Sequence, residues 1–580
     1  VYSGSKDLTF SGPSTALSGT VPTVEATDVG SATSVIFTAG VSDTNAAALT
    51  AYMAETTTVD VSQGSINSFG DVSYDLDLTV NPGAANNLAY SVQPTNTISA
   101  VSISPAIIVQ VRDQWDNVLI SDNSTSVAIA IDNNPGSGTL SGTTSQTAVS
   151  GEATFNDLSI NKSGTGYTFT VTSGSLTAAT SDGFNITPAA ASYFKVTGTA
   201  SMTAGSTNEL TITAYDQYDN VATGYSGSKD LTFSGPSTAP SGTVPTVEAT
   251  DVGSATSLNF TSGVSGSPLV TLVAYKAETT TVDVSQGSIN STGDETYDLG
   301  LTVNPGAANN LAYSQQPTNT VTGSAITPAV AVQVRDQWDN VLTSDSSTSV
   351  GIAINTNPPG DGTLSGTTSQ TAVSGEATFN DLSIDKIGDG YTLDATSGGL
   401  TTATSSGFNI TLPTIQFTSA SSSGAESATP VTLQLTLSAV SGLDVSVDYA
   451  LSGTATGSGT DYTLAVGTAT INAGNTTTNI SATIVDDLLD EANETIVVTI
   501  SNPTNATLGT NTVHTYTIND NDASPTIQFT STSSSGAEST TPVTLQLTLS
   551  AVSGLDVSVD YAVTGGAATG SGTDYTLTAG

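Results

Sequence analysis

The sequence contains no cysteine, a single histidine and only 8 lysines and arginines among 580 residues. Without cysteine there is no disulfide, no thiolate nucleophile and no cysteine-type zinc site. With one histidine and no cysteine, no imidazole-based triad or zinc site is proposed. The histidine is His514, in the alternating run Thr512-Val-His-Thr-Tyr516, and it is expected on the surface of a strand. No apolar run approaches the length of a membrane span, and helical apolar spacing never extends beyond about two turns. The 55 glycines are scattered through turns, and none forms a phosphate-cradling loop ahead of a helix. No catalytic residue is predicted, and the chain is read as a non-enzyme.

Against the few cations stand 51 Asp and Glu, a net charge of −43. Such a chain is repelled by nucleic acid and by anionic membrane surfaces, and it collects cations instead. Charged residues are only 10% of the total, so Thr, Ser, Asn and Gly must form the polar surface. That composition suits strands and turns. The length exceeds what one core can organise and implies several domains.

Internal repetition sets the division. Tyr2-Ser-Gly-Ser-Lys-Asp-Leu-Thr-Phe10 recurs as Tyr225 to Phe233, an offset of 223 residues. Asn81 to Tyr90 recurs at Asn304 to Tyr313, and Ser141 to Ile160 returns unchanged at Ser365 to Ile384. A unit of this size is too long for one sandwich and suits two. The predicted modules are 1–83 and 189–305 (type one), 84–188 and 306–412 (type two), 413–523, and 524–580. The joints Asn81-Pro-Gly, Thr187-Pro-Ala and Thr411-Leu-Pro are short and carry proline, as semi-rigid linkers do.

Val431-Thr-Leu-Gln-Leu-Thr-Leu437 and Leu443-Asp-Val-Ser-Val-Asp-Tyr449 alternate apolar and polar residues between turn clusters. The predicted class is all-β: tandem Ig-like β-sandwich modules in an elongated array. Module 1–83 lacks counterparts of Tyr193 to Val196 and Glu209 to Ala214, and is expected to expose an unpaired sheet edge. Module 524–580 stops before its own acidic loop, and further modules are expected at both ends.

Asp-Gln-Trp/Tyr-Asp-Asn occurs three times, starting at Asp113, Asp216 and Asp336. It could hold a metal. The preferred reading is a turn in which Asp and Asn bond their own backbone while the aromatic ring packs inward.

The densest acidic stretch is Ile484-Val-Asp-Asp-Leu-Leu-Asp-Glu-Ala-Asn-Glu494, and no Lys or Arg follows Lys386 to neutralise it. Glu426 in Gly424-Ala-Glu-Ser, Asp461 in Gly459-Thr-Asp-Tyr462, and Asp520 and Asp522 in Ile518-Asn-Asp-Asn-Asp also lie at strand ends. Carboxylates gathered at one tip of a sandwich repel unless a hard divalent cation, which takes six to eight oxygens, binds among them.

These landmarks make residues 413–523, and in shortened form 524–580, resemble the Calx-beta family, the Ig-like module of sodium–calcium exchangers and of many bacterial surface proteins. The resemblance implies calcium ligation by Glu426, Asp461, Asp486, Asp487, Glu491, Glu494, Asp520 and Asp522. Leu488 stands where the exchanger-like run has a third acid, which implies fewer ions. Val332-Gln-Val-Arg-Asp-Gln-Trp-Asp-Asn340, with Gly375-Glu-Ala-Thr-Phe379, makes residues 1–412 resemble bacterial Ig-like repeats of the invasin and adhesin kind.

The expected function is a structural or adhesive stalk segment of a large repetitive cell-surface or secreted protein, extracellular, with calcium rigidifying the joint at the Calx-beta-like module. Its partner would be a surface, protein or glycan. The alternative is a set of spacer or carbohydrate-binding modules attached to a secreted enzyme.

Overall fold

In many strands of this chain apolar residues fall at every second position, and burying that set on one face is what makes the strands. In Ser126–Ile131, Val127 and Ile129 are buried while Ser126, Ala128 and Ala130 face water. Each fully buried side chain of this kind contributes about 1.5–3 kcal/mol. The computed structural model describes residues 2–266, 269–292 and 296–580, and among them there is no helix. No helix is therefore long and apolar enough to cross a membrane. The class is all-β, with Ig-like sandwiches in tandem. The chain forms two compact units that meet at Asn304 and Pro305.

In the first unit, Gly4–Ser11 pairs with Ala32–Thr38 and with Glu55–Gln63. The same register returns in Gly227–Ser234, with Gly4 opposite Phe37 and Gly227 opposite Phe260. The later copy has two further strands. Tyr193–Thr197 pairs antiparallel with Thr207–Tyr215, and Tyr193 stacks on Tyr215 and Tyr297. In residues 2–80, Val41, Ile66, Tyr74 and Leu76 are exposed, beside an open groove lined by residues that include Tyr2, Leu8, Phe37 and Val61. Between the two copies, residues 87–187 enclose a separate core that includes Val109, Val111, Phe155, Tyr167, Phe169 and Phe184.

The second unit opens on a matching core, with Val332, Val334, Phe379, Tyr391, Leu393 and Phe408. Residues 414–519 follow as two facing sheets. One is built on Val431–Leu437, which lies between Thr414–Phe417 and Thr477–Ile484. The other is built on Glu494–Thr504, which lies between Val445–Gly453 and Val513–Asn519. Ile415, Phe417, Leu435, Val447, Val498 and Tyr516 fill the space between them.

His514 is buried in this sandwich, which corrects the expectation of a surface position. It shares the inward face of its strand with Tyr516 and Ile518. Its ring lies 5.4 Å from that of Phe417. Nδ1–H donates to the Ser419 carbonyl (2.6 Å) and Nε2 accepts from Ser422 Oγ (2.8 Å), so a neutral imidazole is fully satisfied inside.

Candidate functional site

The acids of residues 413–522 lie far apart in sequence, and the sheets deliver them to one end. Ser421–Ala425 runs parallel to Val513–Asn519, with Ala425 opposite Asn519, so Glu426 and Asp520 leave the sheet side by side. Glu494 starts its strand opposite Ile518. Tyr462 is opposite Ile484, and the Val485 N–H donates to the Asp461 carbonyl (2.9 Å), which brings Asp461 beside Asp486 and Asp487.

Glu426, Asp487 and Asp522 come closest, with one carboxylate oxygen from each lying within 4.8 Å of the others. Glu426 is only 8% exposed. Its Oε2 and Asp522 Oδ2 are buried without a hydrogen-bond partner. Burial raises the Glu426 carboxyl to about 7, and Asp487, Asp520, Asp522 and Glu491 push it the same way. Burial, then Asp520, Asp486, Asp487 and Asp490, raise Asp522.

A second group adjoins the first. Glu494 is raised to about 7 by burial, by a hydrogen bond shared with Asp461, and by the charges of Asp461, Glu491 and Glu426. Glu491 is raised by burial and by Asp487, Asp461 and Asp520, which makes it the link between the two groups. Asp486 accepts from Asn521 Nδ2 at 3.3 Å, and Asp520 Oδ1 accepts the Asp522 N–H at 3.2 Å. All eight residues singled out from the sequence thus lie at this end of the sandwich.

Two buried oxygens without donors, among acids that raise one another's pKa, are what a hard cation would satisfy and what water-exposed acids would not produce. The residues therefore fit calcium by the chemistry of the donor set.

Asp490 belongs to the same loop and has a different place. It is buried, and its Oδ1 accepts from Ser524 Oγ (3.2 Å) and its Oδ2 from Ser553 Oγ (3.4 Å). Its carbonyl accepts the Gly554 N–H at 2.9 Å. The loop that carries the acidic tip therefore also holds the next segment. Sequence reasoning placed Asp490 in the acidic stretch but had no signal for a partner 63 residues away.

The Asp-Gln-aromatic-Asp-Asn turns differ from this tip. Asp216 Oδ1 accepts from the N–H groups of Tyr218 (2.8 Å) and Asn220 (3.0 Å), and its Oδ2 from three further donors, so no lone pair faces a cation. The turn reading of the motif accounts for the two Oδ1 bonds, and the metal reading accounts for none of them.

The Calx-beta domain family matches residues 411–522 and 520–580. Among solved structures, the apo-form Calx CBD1 domain is similar at 21% identity over 19% of this chain and 100% of that one, TM-score 0.18. CBD12 from CALX1.2 is similar at 16% identity over 36% of this chain and 99% of that one, TM-score 0.21. Invasin, a bacterial integrin-binding protein, is similar at 13% identity over 72% of this chain and 74% of that one, TM-score 0.22. No curated protein matches the chain. Within an array of β-sandwiches, residues 411–580 are two Calx-beta matches in tandem, a longer one followed by a shorter one.

Proposed function

We propose that this chain is a stalk segment of an extracellular or surface-attached protein, structural or adhesive in role, whose joint after residues 413–523 is stiffened by calcium. The division at 83, 188, 305, 412 and 523 is part of this reading. The observation that carries it is the pair of buried, partnerless oxygens, Glu426 Oε2 and Asp522 Oδ2, beside Asp487. Glu426, Asp487, Asp520 and Asp522 would hold one cation, with Asp486 at its edge, and Asp461, Glu491 and Glu494 would extend the site.

Bound calcium would supply the positive charge that this end of the sandwich lacks. The chain does the rest. Once the 486–494 loop is fixed, Asp490 and Glu491 are fixed with it, and these residues touch Ser553 and Gly554 of the next segment. Repeated sandwiches suit a spacer, and the millimolar calcium found outside cells suits a site of this kind.

Calorimetric titration of the full chain with calcium, and separately with magnesium, tests the site. Saturable calcium binding is expected, at an affinity on the order of 10⁻⁴–10⁻³ M or tighter. It should weaken at least about tenfold in Glu426→Gln and in Asp522→Asn. Absence of binding at millimolar calcium, or equal binding by a variant with an intact fold, would sink this reading.

A further inference from the structure

Asp113, Asp216 and Asp336 are almost wholly removed from water, with Asp216 at 0% exposure. Burying a carboxylate needs a reason, because its desolvation is costly. Closing the local turn uses only one of its oxygens. Asp216 Oδ1 takes the Tyr218 and Asn220 N–H groups, and Asp219 supplies the left-handed residue at φ 58°.

The other oxygen faces the preceding segment. Asp216 Oδ2 accepts the Ala189 N–H at the joint (2.9 Å) and Ser99 Oγ from beyond it (2.9 Å). Asn220 supports it through Nδ2 (2.9 Å) and also crosses the joint itself. Its Nδ2 donates to the Asn161 carbonyl (2.9 Å), and its Oδ1 accepts the Ser163 N–H (2.8 Å). Lys162 follows, donating to the Tyr218 carbonyl and lying 3.6 Å from Asp219.

The earlier copy makes the same connections to a neighbour of different sequence. Asp113 Oδ2 accepts the Gly83 N–H at the joint (2.8 Å). Asn117 donates to the Tyr52 carbonyl (2.6 Å) and accepts the Ala54 N–H (2.7 Å), while Trp115 lies against the Tyr52 ring. In the second unit, Asp336 Oδ2 accepts the Gly306 N–H at 2.8 Å.

We propose that Asp-Gln-aromatic-Asp-Asn, as it stands at Asp113 and Asp216, is an inter-module clasp, a docking surface whose partner is the preceding module of the same chain. The Asp seizes the N–H of the linker, and the Asn takes one carbonyl and one N–H from the neighbour's loop. Except for Ser99 and Lys162, the hydrogen-bonded atoms on the far side are backbone atoms, which lets one motif grip two kinds of neighbour. Burial alone would discourage the charge on Asp216, but bonds from the Asn220 side chain and from the Asn220, Ala189 and Tyr218 N–H groups outweigh it and lower its pKa. The clasp is therefore charged and closed at neutral pH, and it needs no cation.

Hydrogen exchange of the full chain in chelator tests this. Asn220→Ala should speed exchange at the Ser163 amide, in the neighbouring module, roughly tenfold, the loss expected for hydrogen bonds that secure a joint. Strands Phe169–Thr172 and Thr207–Tyr215 should keep their protection. Ser99→Ala, which leaves the turn intact but removes both the bond to Asp216 and the second acceptor of the Ala189 N–H (3.1 Å), should speed Ala189 roughly threefold. The clasp is refuted if Ser163 is unmoved in Asn220→Ala, or if Thr207–Tyr215 loosens by the same factor, since the motif would then stabilise only its own turn. It is also refuted if Ala189 keeps its protection in Ser99→Ala. Chelation of the unaltered chain should leave Ser163 as it is in calcium, and a chelation effect as large as that of Asn220→Ala would refute cation independence. None of these outcomes depends on whether the acidic tip binds calcium.

Discussion

Residues 431–450 and 543–562 are the same twenty amino acids, and they do not make the same structure. In the first copy, Val431–Leu437 and Val445–Gly453 lie in opposite sheets of a closed sandwich. In the second, only Leu547–Leu549 is a strand, paired with Ile527–Phe529. Phe417 is fully buried, whereas its counterpart Phe529 is 53% exposed. What differs is the company. The first copy has Thr477–Ile484, Glu494–Thr504 and Val513–Asn519 to pair with, whereas residues 550–580 form no strand. Alternation marks a segment as fit to be a strand, but the strand exists only when distant partners cover its apolar face and its edge.

The largest test of this comparison is a matched pair of substitutions. Leu435 is 0% exposed and Leu547, its twin, is 40% exposed. Leu435→Ala should cost about 2–5 kcal/mol, through lost burial and the cavity left behind. Leu547→Ala should stay within about 0.5 kcal/mol, as substitutions outside a packed core do. Urea-dependent exchange in strand Thr477–Ile484, whose sequence is not repeated, reports the stability of the sandwich. Equal effects of the two substitutions would mean that the second copy has a core of its own.

The same contrast explains what was legible in the sequence. Strand period, repeat boundaries and acids at strand ends are local patterns, and they led to the sandwich class and to the eight carboxylates at one tip. The Asp–Asn turn was legible for the same reason, because its self-bonding follows from a spacing of two and four residues. What crosses between segments was not. Nothing near Asn220 names Asn161, and nothing near Asp490 names Ser553. His514 was misjudged because alternation identifies two faces without saying which one is covered. The choice was made by Tyr516 and Ile518, with which His514 shares its side of the strand.

A smaller effect is the pH dependence of the acidic tip in the first copy. Glu426 and Glu494 are raised to about 7 from an ordinary value near 4.5, burial being the leading cause for both. Between those values, the folded state keeps protons that the unfolded chain has already lost. In chelator, the stability of residues 413–522 should therefore be highest near pH 5, fall as pH rises to about 7, and level off above. The urea midpoint of exchange at Thr477–Ile484, measured at pH 5 and pH 8, checks the sign. Glu426→Gln should flatten the slope. If stability instead rises with pH through this window, the tip does not hold its carboxyls protonated in the way its geometry implies.

The smallest effect concerns the one feature the two copies share. In both, the loop Val-Ser-Gly-Leu meets the preceding segment. The Gly442 N–H points to the Thr322 carbonyl at 3.5 Å, and the Gly554 N–H donates to the Asp490 carbonyl at 2.9 Å. The approach at Gly442 is so close that a Cβ built on Gly323 would lie 2.9 Å from the Gly442 Cα. The docking loop thus recurs in both copies, because it needs only a neighbour's surface and no sheet partners. Ser553→Ala removes a long hydrogen bond to Asp490 and the acceptor of the Leu555 N–H, and should loosen Gly554 by no more than about 1 kcal/mol. Exchange measured on peptides that reach Leu451 and Val563, where the copies first diverge, resolves the two loops. Calcium should slow exchange at Gly554, even in Ser553→Ala, because Asp490 sits in the loop that the tip would organise. Gly442, docked on a segment with no acidic tip, should not respond. An equal response at both glycines would separate calcium from the joint, and no response at either would leave the tip acting only within its own sandwich.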